Sequence, residues 1–278
     1  MSAIPSPGPS DAAAPRPAAL ARIPAAAGRA ALGVVADVRA ILGTLGLTLR
    51  FLARRLPDRR AVVAEMFSIG NRSLFFVSVC MAFIGVIITF QMVLQALRLV
   101  PDLTFIGPTY AELLVRDLGA SIAAMMLATR VGAGIASEIG SMAVTEQLDA
   151  LRMSAAHPVE YLVVPRFVAS IVMTVVLVVW ATAIAFGAGM LAANVVFDIN
   201  PHTFANFTLV DGGDVTIGVI KALAYGAAIP IVSAHRGLHA RGGSEGVGTA
   251  ATSAVVSSSL AVILLQFAIS AVGYVVLP

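Results

Sequence analysis

Arg116, Asp117 and Lys221 are charged residues that lie inside long apolar segments of the sequence. A charged side chain at the bilayer centre costs roughly 2.5–3.5 kcal/mol on insertion scales, so such residues face protein or a cavity. Arg116 and Asp117 lie about seven residues into one predicted span and Lys221 about seven into another that enters from the same side, which places all three ~10 Å below one surface. We predict that they meet in a cluster of net charge +1 that holds an anionic head group. The alternative is that Lys221 extends alone towards the membrane surface.

Two other patterns suggest enzyme chemistry without the structural context that this chemistry needs. Gly242, Ser244 and Gly246 fit G-x-S-x-G, but a nucleophile elbow requires a preceding strand and a following helix. His235 and His239 have i, i+4 spacing without the glutamate of a zinc protease motif. We therefore expect a flexible loop, with no catalytic residue and no metal site.

The composition is typical of an integral membrane protein. Hydrophobic residues make up 59% of the 278 positions and charged residues 12%, whereas a soluble domain carries roughly 25% charged residues. Ten of the eighteen Lys and Arg residues precede Ser73, and the basic residues do not form a face with interleaved aromatic residues, which indicates a membrane surface and not nucleic acid. The single cysteine, Cys80, excludes a disulfide within the chain.

Five apolar segments predict an all-α membrane fold. The predicted spans are residues 73–97, 110–135, 159–196, 215–234 and 247–277. The loop 197–214 carries three Asp residues and no Lys or Arg, so the positive-inside rule places it outside the cell. We expect a multi-pass protein of the bacterial inner membrane with a cytosolic N-terminus and an external C-terminus.

The segment before these spans has two parts. Residues 1–28 are rich in Ala and Pro and predict a disordered cytosolic tail. Residues 29–72 predict a basic amphipathic helix in the membrane interface, ended by Pro57, with a connector. The alternative for this helix is a poorly hydrophobic first span. Residues 73–278 then form the five-span domain.

A charged segment, residues 128–168, separates the second and third predicted spans. As a helix over residues 137–153, it carries a polar stripe opposite an apolar one. The stripe comprises Glu138, Ser141, Thr145, Asp149 and Arg152. We predict a short amphipathic helix outside the bilayer, and the pattern leaves open whether its polar face meets water or a partner protein.

At this segment the sequence resembles the MlaE/YrbE permeases, the membrane subunits of Mla- and Mce-type ABC lipid transporters. The similar segments are Arg130, Gly132, ASEIGSM (136–142), TEQLDAL (145–151), YLVVPR (161–166), GGSEGVG (242–248) and SSSLA (257–261). The resemblance implies a dimer of permease copies, a cytosolic ATPase and a ring of MCE proteins on the outer side. It also implies that Glu138, Ser141, Thr145, Glu146, Asp149 and Arg152 form an ATPase-coupling helix.

The resemblance further implies transport of phospholipid or a related lipid between the inner membrane and the MCE ring. The chain has no P-loop, because its only lysine follows Ile220 and the motif requires Gly-Lys. ATP and Mg²⁺ are therefore expected in the partner ATPase, and no cofactor in this chain. The lipid cavity is expected between spans one, two and five, with candidate lining residues Phe83, Ile87, Gln91 and Val255.

A different class of function also fits the intramembrane charges. An ion-coupled secondary transporter would use Asp117 and Lys221 as a proton relay. Such a protein would be driven by a proton gradient without an ATPase, and it usually contains an internal repeat of spans. Purification with a bound ATPase would distinguish the ABC class from this alternative.

Overall fold

The computed structural model describes residues 18–54, 56–99 and 103–276, and the regular elements in these ranges are all helices. The chain divides into residues 1–42 and 43–278, and the side-chain contacts described below lie within the second unit. The helices are α1 (Ala18–Arg54), α2 (Arg59–Leu99), α3 (Ile106–Val144), α4 (Gln147–Met153), α5 (Val159–Phe197), α6 (Pro201–Phe204), α7 (Gly212–Leu238) and α8 (Gly243–Val276). The predicted all-α membrane class is confirmed.

Six helices in the described part of the chain are long and apolar enough to cross a membrane. Five of them, α2, α3, α5, α7 and α8, contain the five predicted spans. The sixth is Leu32–Arg54 within α1, in the segment for which we predicted an interfacial helix. By length and composition this helix also meets the requirements of the alternative, a first span.

The helices extend beyond the predicted spans at their charged ends. Helix α2 begins at Arg59, so much of the predicted connector is helical and continuous with the first predicted span. Helix α1 begins at Ala18, inside the segment predicted as a disordered tail, and residues 1–17 of that tail lie outside the described residues.

The prediction of one amphipathic helix over residues 137–153 was wrong, because the chain bends at Thr145 and Glu146. Helix α3 ends at Val144, Glu146 has a left-handed backbone with φ of 59°, and α4 starts at the next residue. The Thr145 Oγ1 atom donates a hydrogen bond to the Ser141 carbonyl oxygen at 2.8 Å. A left-handed conformation at a non-glycine residue costs roughly 1–2 kcal/mol, and a helical-wheel pattern does not reveal it.

Helices α3 and α7 have the largest buried fractions of the six long helices. Helix α5 packs against both of them, α2 packs mainly along α5, and α8 packs along α7 and the last turns of α3. The buried Tyr110 hydroxyl of α3 lies 2.9 Å from the Ala185 carbonyl oxygen and 3.2 Å from that of Gly85. One side chain of α3 therefore contacts the backbones of α2 and α5 where they cross.

Gly85 permits the close approach of α2 to α5, because a Cβ atom there would meet backbone atoms of Ala185. We predict that Gly85→Ala lowers the free energy of unfolding by about 1–3 kcal/mol, the usual penalty for overpacking. The matched control is Gly187→Ala in α5, where a Cβ atom has nothing within 4 Å, and stability should stay equal or rise because Ala is the better helix former. Thermal unfolding in detergent measures both, and equal melting temperatures for the two variants would contradict the close contact.

Candidate functional site

Lys221 is fully buried and forms an ion pair with Asp117 between α7 and α3. Its Nζ atom also donates a hydrogen bond to the Arg116 carbonyl oxygen at 2.9 Å. The alternative in which Lys221 extends alone to the membrane surface is wrong, because its side chain has 0% exposure. The structure thus brings Arg116, Asp117 and Lys221 together, and their depth below the membrane surface stays a prediction.

A π-helical segment, Leu114–Leu118, presents two of these residues. One extra residue in a helical turn disturbs the regular bonding of backbone carbonyls, and such segments often occur at functional sites. Here side chains bond to two of the carbonyl oxygens. Lys221 donates to that of Arg116, and Ser121 Oγ donates to that of Asp117 at 2.7 Å. Two carbonyl oxygens of the π-helical segment therefore accept hydrogen bonds from side chains, one of which is Lys221 of the cluster.

Asp214 is a member of the cluster that the sequence analysis did not identify. The Arg116 NH1 atom donates to Asp214 Oδ1 at 2.9 Å, and the other oxygen accepts from the Asp211 backbone N–H at 3.1 Å in the capping box that begins α7. Two cations and two carboxylates cancel, so the net charge of +1 that we predicted from three residues was wrong. The sequence signal was the aspartate pair at the helix start, which is typical of an N-cap.

Helix α8 completes the hydrogen bonding of Asp117. The carboxylate accepts from Gln266 Nε2 at 3.1 Å, Ser270 Oγ at 3.0 Å and Tyr274 OH at 3.2 Å. The Tyr274 ring also lies under the Arg116 guanidinium, 4.4 Å from ring centroid to Cζ. These residues were missed, although their spacing of four in an apolar segment places them on one helix face.

The residues predicted for the coupling helix lie on both sides of the bend. Ser141, Thr145, Glu146, Asp149 and Arg152 are all exposed. The ion pair between Asp149 and Arg152 measures 2.9 Å with both side chains 65% exposed, so it contributes little to stability. The exposed polar surface formed by these five residues is called the bend surface below.

Glu138, the remaining predicted coupling residue, is exposed and pairs with a buried arginine. The buried Arg166 of α5 contacts Glu138 Oε2 through NH2 and Glu65 Oε1 through Nε, each at 3.0 Å. Glu138 lies on α3 and Glu65 on α2, so one guanidinium joins three helices close to the bend surface. The role of Glu65 was missed, because a lone glutamate in a basic segment gives no sign of a distant partner.

The predicted lipid-cavity residues do not form a cavity within one copy of the chain. Phe83, Ile87 and Gln91 are exposed on α2, which packs along α5, whereas Val255 is half-buried on α8, which packs on α7 and α3. An apolar cavity of about 450 Å³ lies instead between α3, α5 and α7. Its lining includes Val115, Val178, Phe186, Phe207, Val219 and Ala222.

The buried pair of Asp117 and Lys221 predicts strong energetic coupling between the two side chains. Asp117→Asn and Lys221→Met should each lower the free energy of unfolding, because each leaves a buried charge unpaired at a cost of about 3–5 kcal/mol. The double variant should lose clearly less than the sum of the two. Unfolding in mixed micelles, followed by circular dichroism, measures this cycle.

The exposed pair of Asp149 and Arg152 provides the control cycle. Asp149→Asn combined with Arg152→Met should show coupling below about 1 kcal/mol. Additive losses in the buried pair would contradict direct pairing. Charge reversal is a poorer test, since Lys221→Asp would set a carboxylate against the Arg116 carbonyl oxygen, which now accepts from Nζ.

Comparison with known proteins places this architecture in a family. The family described as Permease MlaE matches residues 62–272. A probable ABC transporter permease protein of Synechocystis sp. is 35% identical over 217 residues, 77% of this chain and 81% of the relative. One of Rickettsia bellii is 34% identical over 211 residues, 75% and 81% of the two chains. The chloroplastic protein TRIGALACTOSYLDIACYLGLYCEROL 1 of Arabidopsis thaliana is 29% identical over 226 residues, 81% of this chain and 64% of that protein. The chain therefore belongs to the MlaE permease family and is a permease subunit of an ABC transporter.

Proposed function

We propose that this subunit moves phospholipid or a related lipid between the bacterial inner membrane and a ring of MCE proteins on the outer side. Membership of the MlaE family supports ATP-driven transport over the ion-coupled alternative. The name of the Arabidopsis thaliana relative contains a glycerolipid, which supports a lipid substrate. The MCE ring rests on the resemblance to Mla- and Mce-type permeases.

The bend surface is the observation that carries the coupling role. It is polar and exposed, and two of its residues, Asp149 and Arg152, lie on the seven-residue α4, which follows the left-handed Glu146. Leu148 of α4, in contrast, is buried. A short helix with an outward polar surface suits docking to a cytosolic ATPase, which supplies the ATP and Mg²⁺ sites.

Arg166 connects this docking surface to the membrane helices. A displacement of the end of α3 acts on Glu138, and through the guanidinium on Glu65 of α2. Arg166 is buried, whereas the side chains of Glu65 and Glu138 are 25% and 57% exposed. Moving both carboxylates away would leave a buried guanidinium without a partner charge, which opposes independent movement of the three helix ends. Closure of the ATPase would therefore shift α2, which carries three of the four candidate cavity residues.

A second copy of the chain completes the proposed lipid path. Large apolar side chains are exposed along α2 and α8, including Phe75, Phe83, Ile87, Leu264 and Phe267. In a bilayer, lipid or another helix covers such faces. We infer a homodimer in which these faces enclose an outward-opening cavity, with Gln91 and Val255 among its lining residues.

Charge reversal in the bend surface tests the ATPase partner. We predict that Glu146→Arg removes most of the ABC ATPase subunit that otherwise remains bound when the chain is purified from native membranes. The matched control is Asp198→Arg, because Asp198 is also an exposed acidic residue with a left-handed backbone, at the opposite end of α5 from Arg166. Bound ATPase is measured as ATP hydrolysis per permease, and retention by the first variant, or equal loss from both, would contradict the assignment.

The topology gives a second prediction. In a Cys80→Ala background, a cysteine introduced by Thr145→Cys should react with a membrane-impermeant maleimide only after the cells are opened. One introduced by Asp198→Cys should react in intact cells, because the loop after α5 is assigned to the outside. Labelling of the first variant in intact cells would exclude a cytosolic ATPase at the bend surface.

A further inference from the structure

A second cavity, which is polar and has a volume of about 460 Å³, lies between α2 and α3 close to the bend surface. It is separate from the Arg116 cluster, since Arg130 lies thirteen residues beyond Asp117 on α3, or ~20 Å at 1.5 Å per residue. Its polar lining comprises Glu65, Ser68, Arg72, Ser73, Arg130, Ser137 and Glu138. The cavity thus lies near the opposite end of α3 from the intramembrane charges.

Arg130 lines this cavity and contains an unsatisfied donor. Its NH1 atom is buried and has no hydrogen-bond partner among the described residues. A buried donor without a partner costs about 1–3 kcal/mol, and more when the group is charged. The residue lies in a second π-helical segment, Ala128–Gly132, of the kind that often occurs at functional sites.

The carboxylates in the same cavity are already engaged. Glu65 and Glu138 both pair with Arg166 at 3.0 Å. The positive charges of Arg72 and Arg130 therefore have no carboxylate of this cavity left to pair with. The lining itself holds two arginines and two glutamates, and Arg166, which lies outside the lining, brings the net charge of the whole group to +1. The cavity is therefore complementary to a singly charged anion, and a guanidinium fork suits phosphate oxygens in particular.

The position of the cavity along α2 indicates where this phosphate comes from. Arg72 is exposed and is the last charged residue before the apolar stretch that ends at Arg98, so it lies at the level where the hydrocarbon begins. Leu74, Phe75 and Phe76, which follow it, are exposed apolar side chains. A molecule with a phosphate at Arg72 and an acyl chain along these residues is a phospholipid.

We propose that Arg130 and Arg72 bind the phosphate group of an anionic phospholipid in the leaflet nearest the bend surface. Arg130 supplies the buried donor and Arg72 the charge at the mouth, while the hydroxyls of Ser68 and Ser137 lie within the same lining. This site is distinct from the proposed transport cavity. Binding is measured on the chain itself, so its failure leaves the transport proposal unaffected.

Native mass spectrometry of the purified full-length chain, titrated with dioleoylphosphatidylglycerol, tests the site. We predict that Arg130→Gln weakens the tightest binding event about tenfold, as expected for loss of a charge-assisted hydrogen bond. Arg130→Lys, which keeps the charge, should retain part of the affinity. Arg98→Gln, an exposed arginine at the other end of α2, should bind as the unaltered chain does.

Two ligand controls identify the source of the phosphate. Dioleoylglycerol, which has the same chains without phosphate, should not occupy the site, and millimolar inorganic phosphate should not displace the lipid. Displacement by inorganic phosphate would overturn the assignment to a lipid, and equal lipid affinity for Arg130→Gln and the unaltered chain would overturn the site itself. If Arg130→Gln lowers the melting temperature, the exposed Arg72→Gln variant decides, and unchanged lipid affinity there also overturns the proposal.

Discussion

The ion pair between Asp117 and Lys221 imposes the strongest constraint on this structure. In a low-dielectric interior each charge needs its partner and further hydrogen bonds, and these come from the Arg116 carbonyl and from Gln266, Ser270 and Tyr274. The donors and acceptors lie on α3, α7 and α8. Satisfying one carboxylate and one ammonium therefore determines how three membrane helices lie beside one another.

The same physical requirement acts at the other end of α3. Arg166 is buried and holds Glu138 and Glu65, so α2, α3 and α5 are joined there. Helix α3 thus carries a charged cluster near each end, and each is close to a π-helical segment or to the bend after Val144. Helix α3 is continuous between the two clusters, so each end of it is joined by ion pairs to neighbouring helices.

Polar contacts and apolar surfaces have different roles in the rest of the structure. Ion clusters specify which helices are neighbours, while large apolar side chains of α2 and α8 remain exposed in the described part of the chain. Arg72 and Arg130 lie where these two kinds of surface meet. An amphipathic molecule is complementary to that boundary, because its head group is polar and its chains are apolar.

Hydropathy and charge in the sequence were sufficient for the membrane class and for the meeting of Arg116, Asp117 and Lys221, because span length and helical rise are local properties. They did not reveal Asp214, Gln266 or Glu65 as partners. Those contacts depend on the rotation of each helix and on which helices are neighbours. Neither can be read from the local pattern of residues along the chain. The bend at Glu146 likewise depends on tertiary packing. A left-handed residue is locally unfavourable, whereas the helix that follows it buries Leu148.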